Sequence, residues 1–251
     1  VLFSTLCYGV ILIQISEHIF LDKKTFELDI ATAYLPNPYK PYPYLIIKNF
    51  LKPHELLLIV DSIYQDKNAE VAKVKSEVIH GVVEPKIIKK YRDTNIYAIN
   101  EHLNEIYQHR FQEVQKEIES YFKVAITLST SVQALEYTQG GYYVQHADDS
   151  NALVDKDKNI VGFTPVAPER KITTVLFATS YSQTQEKKYF FNGGELVFNF
   201  LKDKEGKQIE FKADAGDMII FPSNPYFSHE VKKVKSGYRL TLVQWHNAIL
   251  D

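Results

Sequence analysis

The run Tyr137, Thr138, Gln139, Gly140, Gly141, Tyr142, Tyr143, Val144, Gln145, His146, Ala147, Asp148 decides how this chain is read. Aromatic and β-branched residues favour extended backbone, and the paired glycines interrupt them, so the run reads as two strand pieces meeting at a turn or bulge. Residues two apart on a strand point to the same face. His146 and Asp148 can therefore offer an imidazole nitrogen and a carboxylate oxygen to one metal ion at a strand end.

Working outward, Met218, Ile219, Ile220 and Phe221 form an apolar strand entered through Gly216 and Asp217 and ended by Pro222. His229, Glu230 and Val231 follow as a second extended piece. Two histidines and one carboxylate on one face of an iron ion leave positions open for a cosubstrate and O2, the arrangement of non-haem Fe(II) oxygenases. Ten positions past His229 lies Arg239, in a run (238–243) whose alternation sends Arg239 and Thr241 to the same face. A guanidinium fork grips a carboxylate through two parallel hydrogen bonds, and a neighbouring hydroxyl adds a third contact, so this face suits an acidic ligand.

The pattern Tyr137, x, x, Gly140, x, x, Tyr143, x, x, His146, x, Asp148 resembles the signature of the prolyl 4-hydroxylase branch of the Fe(II) and 2-oxoglutarate dependent dioxygenases. The resemblance continues through residues 170–177, 193–198 and 215–217 with the strand after them. It then takes in His229, Glu230 and finally Gly237, x, Arg239. It covers residues 131–246, with a weaker echo at 44–63. It implies a mainly β fold with supporting helices (α+β), built on a double-stranded β-helix or jelly-roll core. It further implies Fe(II) held by His146, Asp148 and His229, and Arg239 paired with the distal carboxylate of 2-oxoglutarate, with Thr241 and Tyr137 as hydrogen-bonding neighbours. Tyr143, Arg170 and Trp245 fall where related prolyl hydroxylases have substrate-side groups. Phe177 departs from the pattern, since several relatives carry there a tyrosine that touches the cosubstrate.

The activity so implied is hydroxylation of a prolyl residue in a peptide or protein, with release of succinate and CO2. Fe(II), 2-oxoglutarate and O2 take part, with ascorbate a candidate reductant. Asp148 favours hydroxylation over halogenation, because related halogenating enzymes carry a small residue in its place. A free amino-acid hydroxylase of the same family is the nearest alternative. A non-catalytic metal-binding β-barrel, acting as a sensor or partner-binding module, is a second; a hydrolase with another metal is a third. The last leaves Arg239 without a purpose.

With 251 residues and 45% hydrophobic content, the chain can bury a sizeable core, and a single oxygenase domain over 1–251 is expected. Within it, 1–43 reads as an N-terminal extension and Pro/Tyr connector, 44–130 as a supporting strand and helices, and 131–251 as the β-helix core. The net charge of −2 gives no general pull toward nucleic acid. Relatives that repair nucleic acids carry a second arginine where this chain has Trp245, so a nucleic-acid partner is not expected. The single cysteine, Cys7, rules out an internal disulfide and fits a reducing, cytoplasmic setting. Residues 1–16 carry no charge but fall short of the roughly 20 apolar residues of a spanning helix, so a packed strand or extension is expected rather than a membrane anchor.

Prolines 36, 38, 41 and 43, interleaved with tyrosines, predict a stiff surface connector. Residues 53–65 read as a helix with Leu56, Ile59, Val60 and Ile63 on one face, and 100–122 as a longer helix supporting the barrel from outside. His102 and His109 on it are expected to face solvent. Strands are predicted at 125–136, 172–179, 195–200, 218–221 and 238–245. Two polar insertions, 149–169 and 180–192, are expected as long loops near the site that contact substrate.

Overall fold

The computed structural model describes residues 4–7, 10–32, 34–35, 38, 40–65, 70–71, 74–79, 82–86, 92–157, 159–184 and 189–250. Two eight-stranded sheets carry the architecture. The first runs in the order Ser4–Cys7, Val10–Gln14, Phe20–Asp22, Leu196–Lys202, His229–Val231, Tyr142–His146, Arg92–Asp93, with Gln208–Phe211 paired onto Leu196–Lys202. The second runs Leu45–Ile47, Met218–Pro222, Arg170–Phe177, Arg239–Leu250, Gln133–Tyr137, Asn95–Ala98, Glu70–Val71, with Val124–Ser129 paired onto Arg239–Leu250. Apart from the consecutive strands between Ser4 and Asp22 and the hairpin of Leu196–Lys202 with Gln208–Phe211, neighbours in the two sheets come from distant parts of the chain, as in a jelly roll.

The second sheet is apolar on both faces, and its alternation shows why. Ala134, Ile172, Leu176, Met218, Ile220, Leu240 and Leu242 pack against the helices, α1 (Pro53–Gln65) and α2 (Glu101–Phe122). The intervening Leu135, Tyr137, Val175, Phe177, Ile219, Phe221 and Val243 pack toward the first sheet, against Leu196, Phe198, Leu201 and Val231. A strand buried on both sides reads as a continuous apolar run, which is the character of residues 218–221. The inner face also holds the polar members of the same alternating series, Thr173, Arg239 and Thr241.

Both helices lie where the periodicity places them. In α1, Leu56, Ile59, Val60 and Ile63 are the buried residues. In α2, the Asn100 side chain caps the start by accepting from the Leu103 N–H, Leu103, Tyr107, Phe111, Ile118 and Phe122 are buried, and Lys123 ends the helix in the left-handed conformation. His102 and His109 are exposed. Among the described residues no helix is long and apolar enough to cross a membrane.

Several expectations are corrected. The predicted strand 125–136 is two strands, Val124–Ser129 and Gln133–Tyr137, which pair successively with one long partner, Arg239–Leu250. The break falls at the Ser129, Thr130, Ser131 run, where the Thr130 backbone N–H donates to the Trp245 carbonyl and its hydroxyl accepts from the Trp245 N–H. The insertion 149–169 is not a loop but holds the hairpin Ser150–Val154 and Ile160–Pro165, joined by Asp29–Ile30 in parallel. The Asp155 carboxylate, accepting from the Asp157 and Asn159 backbones, closes its turn. The insertion 180–192 carries the short strand Ser180–Tyr181 and the start of Phe190–Gly193, and residues 185–188 lie outside the described ones.

The Pro/Tyr stretch is more than a surface connector. The carbonyls of Lys40 and Pro41 accept from the Glu17 and His18 N–H groups, and Tyr44 is buried against Phe198 and Phe211. Pro36 and Tyr39 lie outside the described residues, as do 1–3 and 8–9 of the apolar N-terminal run. The described part of that run forms strands Ser4–Cys7 and Val10–Gln14, linked through Phe20–Asp22 to Leu196–Lys202.

Candidate active site

Between the sheets lies a cavity of about 210 Å³ whose walls include His146, Asp148, His229, Arg239 and Thr241. His146 ends strand Tyr142–His146 and is paired in register with His229, so antiparallel pairing alone brings the two imidazoles together, ring centroids 4.3 Å apart. Asp148 sits in the bend just past the strand, its N–H donating to the Ser223 carbonyl. The ligand atoms of the three residues all lie within 4.8 Å of one another.

The donor set is prepared for a metal. His146 Nδ1 is 2.9 Å from the Val144 carbonyl and His229 Nδ1 is 3.0 Å from the Phe227 carbonyl. A carbonyl only accepts, so each Nδ1 carries the proton and each Nε2 keeps its lone pair free, the usual outer support of a ligating imidazole. The two Nε2 atoms stand 4.0 Å from the two oxygens of Asp148, too far for hydrogen bonds. Three donors gathered without hydrogen bonds to one another could hold one divalent ion. Thr173 donates to Asp148 Oδ2 at 2.7 Å, which fixes the carboxylate's rotation. Burial, and then the neighbouring His229, hold His146 down at about 3, so its imidazole is neutral at working pH. Burial pushes Asp148 up, but His229, His146 and the Thr173 hydroxyl outweigh it and keep the carboxyl below its ordinary value.

Arg239 is the second half of the site. It is 1% exposed, and no carboxylate among the described residues pairs with it. Its Nε donates to the Gly194 carbonyl at 2.8 Å, and a terminal nitrogen reaches Thr241 Oγ1 at 3.4 Å. The rest of the guanidinium lies against the rings of Tyr137, Phe177 and Phe191 at 4.8, 5.3 and 5.8 Å. Burial lowers its pKa to about 10, so it remains charged. A buried cation without a counter-charge is costly, and an incoming anion removes that cost.

The three substrate-side candidates also reach the cavity. Tyr143 stacks on His146 with centroids 3.6 Å apart, and Arg170 donates to the Asp148 carbonyl at 3.2 Å while lying 4.5 Å over the Trp245 ring. Tyr137 meets Arg239 through its ring face. Sequence reasoning missed Thr173, Gly194 and Arg92. Alternation from Arg239 and Thr241 across the paired strand would have flagged Thr173, which lies opposite Trp245 in register. Arg92 carried no local signal: it arrives from a two-residue strand paired beside Tyr143.

Comparison with known proteins agrees with this geometry. Residues 132–247 match the 2OG-Fe(II) oxygenase superfamily, where 2OG is 2-oxoglutarate. A PKHD-type hydroxylase of Prochlorococcus marinus (strain MIT 9515) is 41% identical over 66 residues, 26% of this chain and 27% of the relative, so the match spans about a quarter of that relative's length. A Pseudomonas putida prolyl-4-hydroxylase structure aligns with a TM-score of 0.56 at 17% identity, covering 81% of this chain and 91% of that one. A Trichoplax adhaerens prolyl hydroxylase, solved with a hypoxia inducible factor peptide fragment, aligns at 0.58 and 19% identity, covering 81% and 83%. Residues 132–247 of the chain are thus similar to the 2OG-Fe(II) oxygenases, and the fold is that of the prolyl hydroxylase structures.

Proposed function

We propose that the protein is an Fe(II)- and 2-oxoglutarate-dependent hydroxylase acting on a prolyl residue of a peptide or protein, with release of succinate and CO2. In this reading His146, Asp148 and His229 hold Fe(II), and Arg239 with Thr241 binds the distal carboxylate of 2-oxoglutarate over the Tyr137 ring. The observation that carries it is the coexistence, in one cavity, of a three-donor cluster and a buried guanidinium with no carboxylate among the described residues within ion-pair distance. A metal-binding module without turnover needs only the first, and a hydrolase leaves the second idle.

When bound, the metal and the keto diacid supply oxidative decarboxylation with O2 and transfer of one oxygen atom into a C–H bond. The chain's own residues position and protect. The carbonyl-tethered imidazoles and the Thr173-held carboxylate keep their donor atoms aimed at a common point. Arg239 orients the diacid through charge-assisted bonds from a buried position in the cavity wall. Tyr143 and Trp245 wall the cavity beside the donors, and the hairpin that replaces the expected loop brings Asn151 and Val166 to its rim. Proline as the acceptor is supported by the PKHD-type and prolyl hydroxylase likenesses, and peptide as its carrier by the peptide held in the Trichoplax structure.

The test is anaerobic addition of Fe(II) and 2-oxoglutarate while watching for the metal-to-ligand absorption band, then admission of O2 and assay of succinate with proline-containing peptides and free amino acids. The band should form in the wild type and be absent in His229→Ala. A band that survives that substitution would remove the assignment.

A further inference from the structure

The cavity contains more positive charge than its expected occupants neutralise. Among its lining residues Asp148 is the one carboxylate, against three arginines, Arg92, Arg170 and Arg239. In the reading above, a divalent ion, Asp148, a doubly charged keto diacid and Arg239 cancel. Arg92 and Arg170 are left over.

Nothing among the described residues compensates them. Neither guanidinium has a carboxylate within ion-pair distance. Arg92 lies 4.5 Å over the Tyr143 ring, and its Nε is buried with no hydrogen-bond partner. Arg170 spends one nitrogen on the Asp148 carbonyl and rests 4.5 Å over Trp245. The aromatic faces hold both planes while leaving further N–H donors for a ligand. The two arginines also come from different sheets, Arg92 from the edge of the first and Arg170 from the second, so they approach the cavity from its two walls. Two like charges on one small cavity repel, and an anion between them relieves that repulsion.

We propose that Arg92 and Arg170 form a carboxylate-binding pair beside the metal site, so that the substrate carries an anionic group close to the carbon that is oxidised. The carboxylate has two chemical sources: an acidic side chain flanking the target residue in a peptide, or the α-carboxylate of a free amino acid. This inference rests on the iron and 2-oxoglutarate reading, because it counts the charge those groups bring.

The experiment uses the full chain loaded anaerobically with Fe(II) and 2-oxoglutarate, the absorption band reporting loading and calorimetry reporting probe binding. Two matched pairs are titrated: N-acetyl-Glu-Pro-Glu-amide against N-acetyl-Gln-Pro-Gln-amide, and L-proline against L-prolinamide. In at least one pair the carboxylate member should bind about 10-fold or more tightly than its amide counterpart, as expected for a charge-assisted contact. The pair that discriminates identifies the source. Arg92→Met should shrink the preference to less than about 3-fold with the loading band intact, which shows the site still folded, and Arg92→Lys should restore part of it. Equal binding within both pairs, no binding of either, or a preference unchanged in Arg92→Met would overturn the proposal while leaving the iron reading standing. Absence of the loading band would overturn both.

Discussion

Arg239 is a buried cation to which the proposed reading gives an anionic partner, the distal carboxylate of 2-oxoglutarate. Its guanidinium is enclosed by three aromatic rings and one carbonyl, and no carboxylate among the described residues lies within ion-pair distance of it. Arg239→Ala should therefore weaken 2-oxoglutarate binding roughly 10- to 100-fold, the worth of a hydrogen bond to a charged group. Metal binding should survive, as titration of Mn(II) by calorimetry would show. Gly194 is the neighbour that permits this placement. It adopts φ +64, and a Cβ there would stand 2.9 Å from Arg239 Cδ and 2.9 Å from Val234 Cγ2. Gly194→Ala combines backbone strain with displacement of the arginine, so it should weaken 2-oxoglutarate binding with little effect on the three metal donors. Affinities for the two ligands, measured separately on each variant, check both predictions.

At the scale of elements, α2 and the strand Arg239–Leu250 are locked by a stack between Phe111 and His246, centroids 4.5 Å apart and planes within 5°. Both ring nitrogens of His246 meet hydroxyls, Ser129 Oγ at 2.7 Å and Thr174 Oγ1 at 3.2 Å. Phe111→Ala should cost about 3–5 kcal/mol of stability, the usual loss for a large core aromatic, read by denaturant unfolding. His246 adds a pH dependence. Burial lowers its pKa from 6.5 to about 3, so between those values the unfolded chain takes up a proton that the folded chain refuses. Its contribution is whole above pH 6.5 and is lost as pH falls toward 3, with a slope of up to roughly 1.4 kcal/mol per pH unit. His246→Gln should flatten the stability profile over that window by about one proton. The same long strand explains why one predicted strand became two: it is long enough to pair with both pieces in succession, and the hydroxyl-rich break between them satisfies its backbone at Trp245.

For the whole molecule, in the proposed reading the metal and the diacid bind the folded chain and not the unfolded one, so both should stabilise the fold. At 100 times their dissociation constants each adds about 2.7 kcal/mol, which raises Tm by roughly 5–10 °C in a chain of this size. Thermal melts with Mn(II) and 2-oxoglutarate, alone and together, should show this, and in Arg239→Ala the same 2-oxoglutarate concentration should add only about 0.4–1.4 kcal/mol. Much of the architecture was legible locally. The helices at 53–65 and 100–122 followed from apolar periodicity, and the ends of the strands around 142–146 and 218–222 followed from glycine, proline and β-branched residues. The chain by itself also determined that Arg239 and Thr241 share a face, because alternation on a strand holds whatever that strand packs against; Asp148, in contrast, stands in a bend just past its strand, where alternation does not reach. Tertiary structure alone decided the rest: that His146 and His229 stand opposite each other in register, that Thr173 holds Asp148, that Arg92 enters beside Tyr143, and that residues 150–165 fold into a hairpin. The physical reason is that hydrogen-bond register between strands distant in sequence, and the closing of two sheets over one cavity, are collective outcomes of packing that no short window of residues contains.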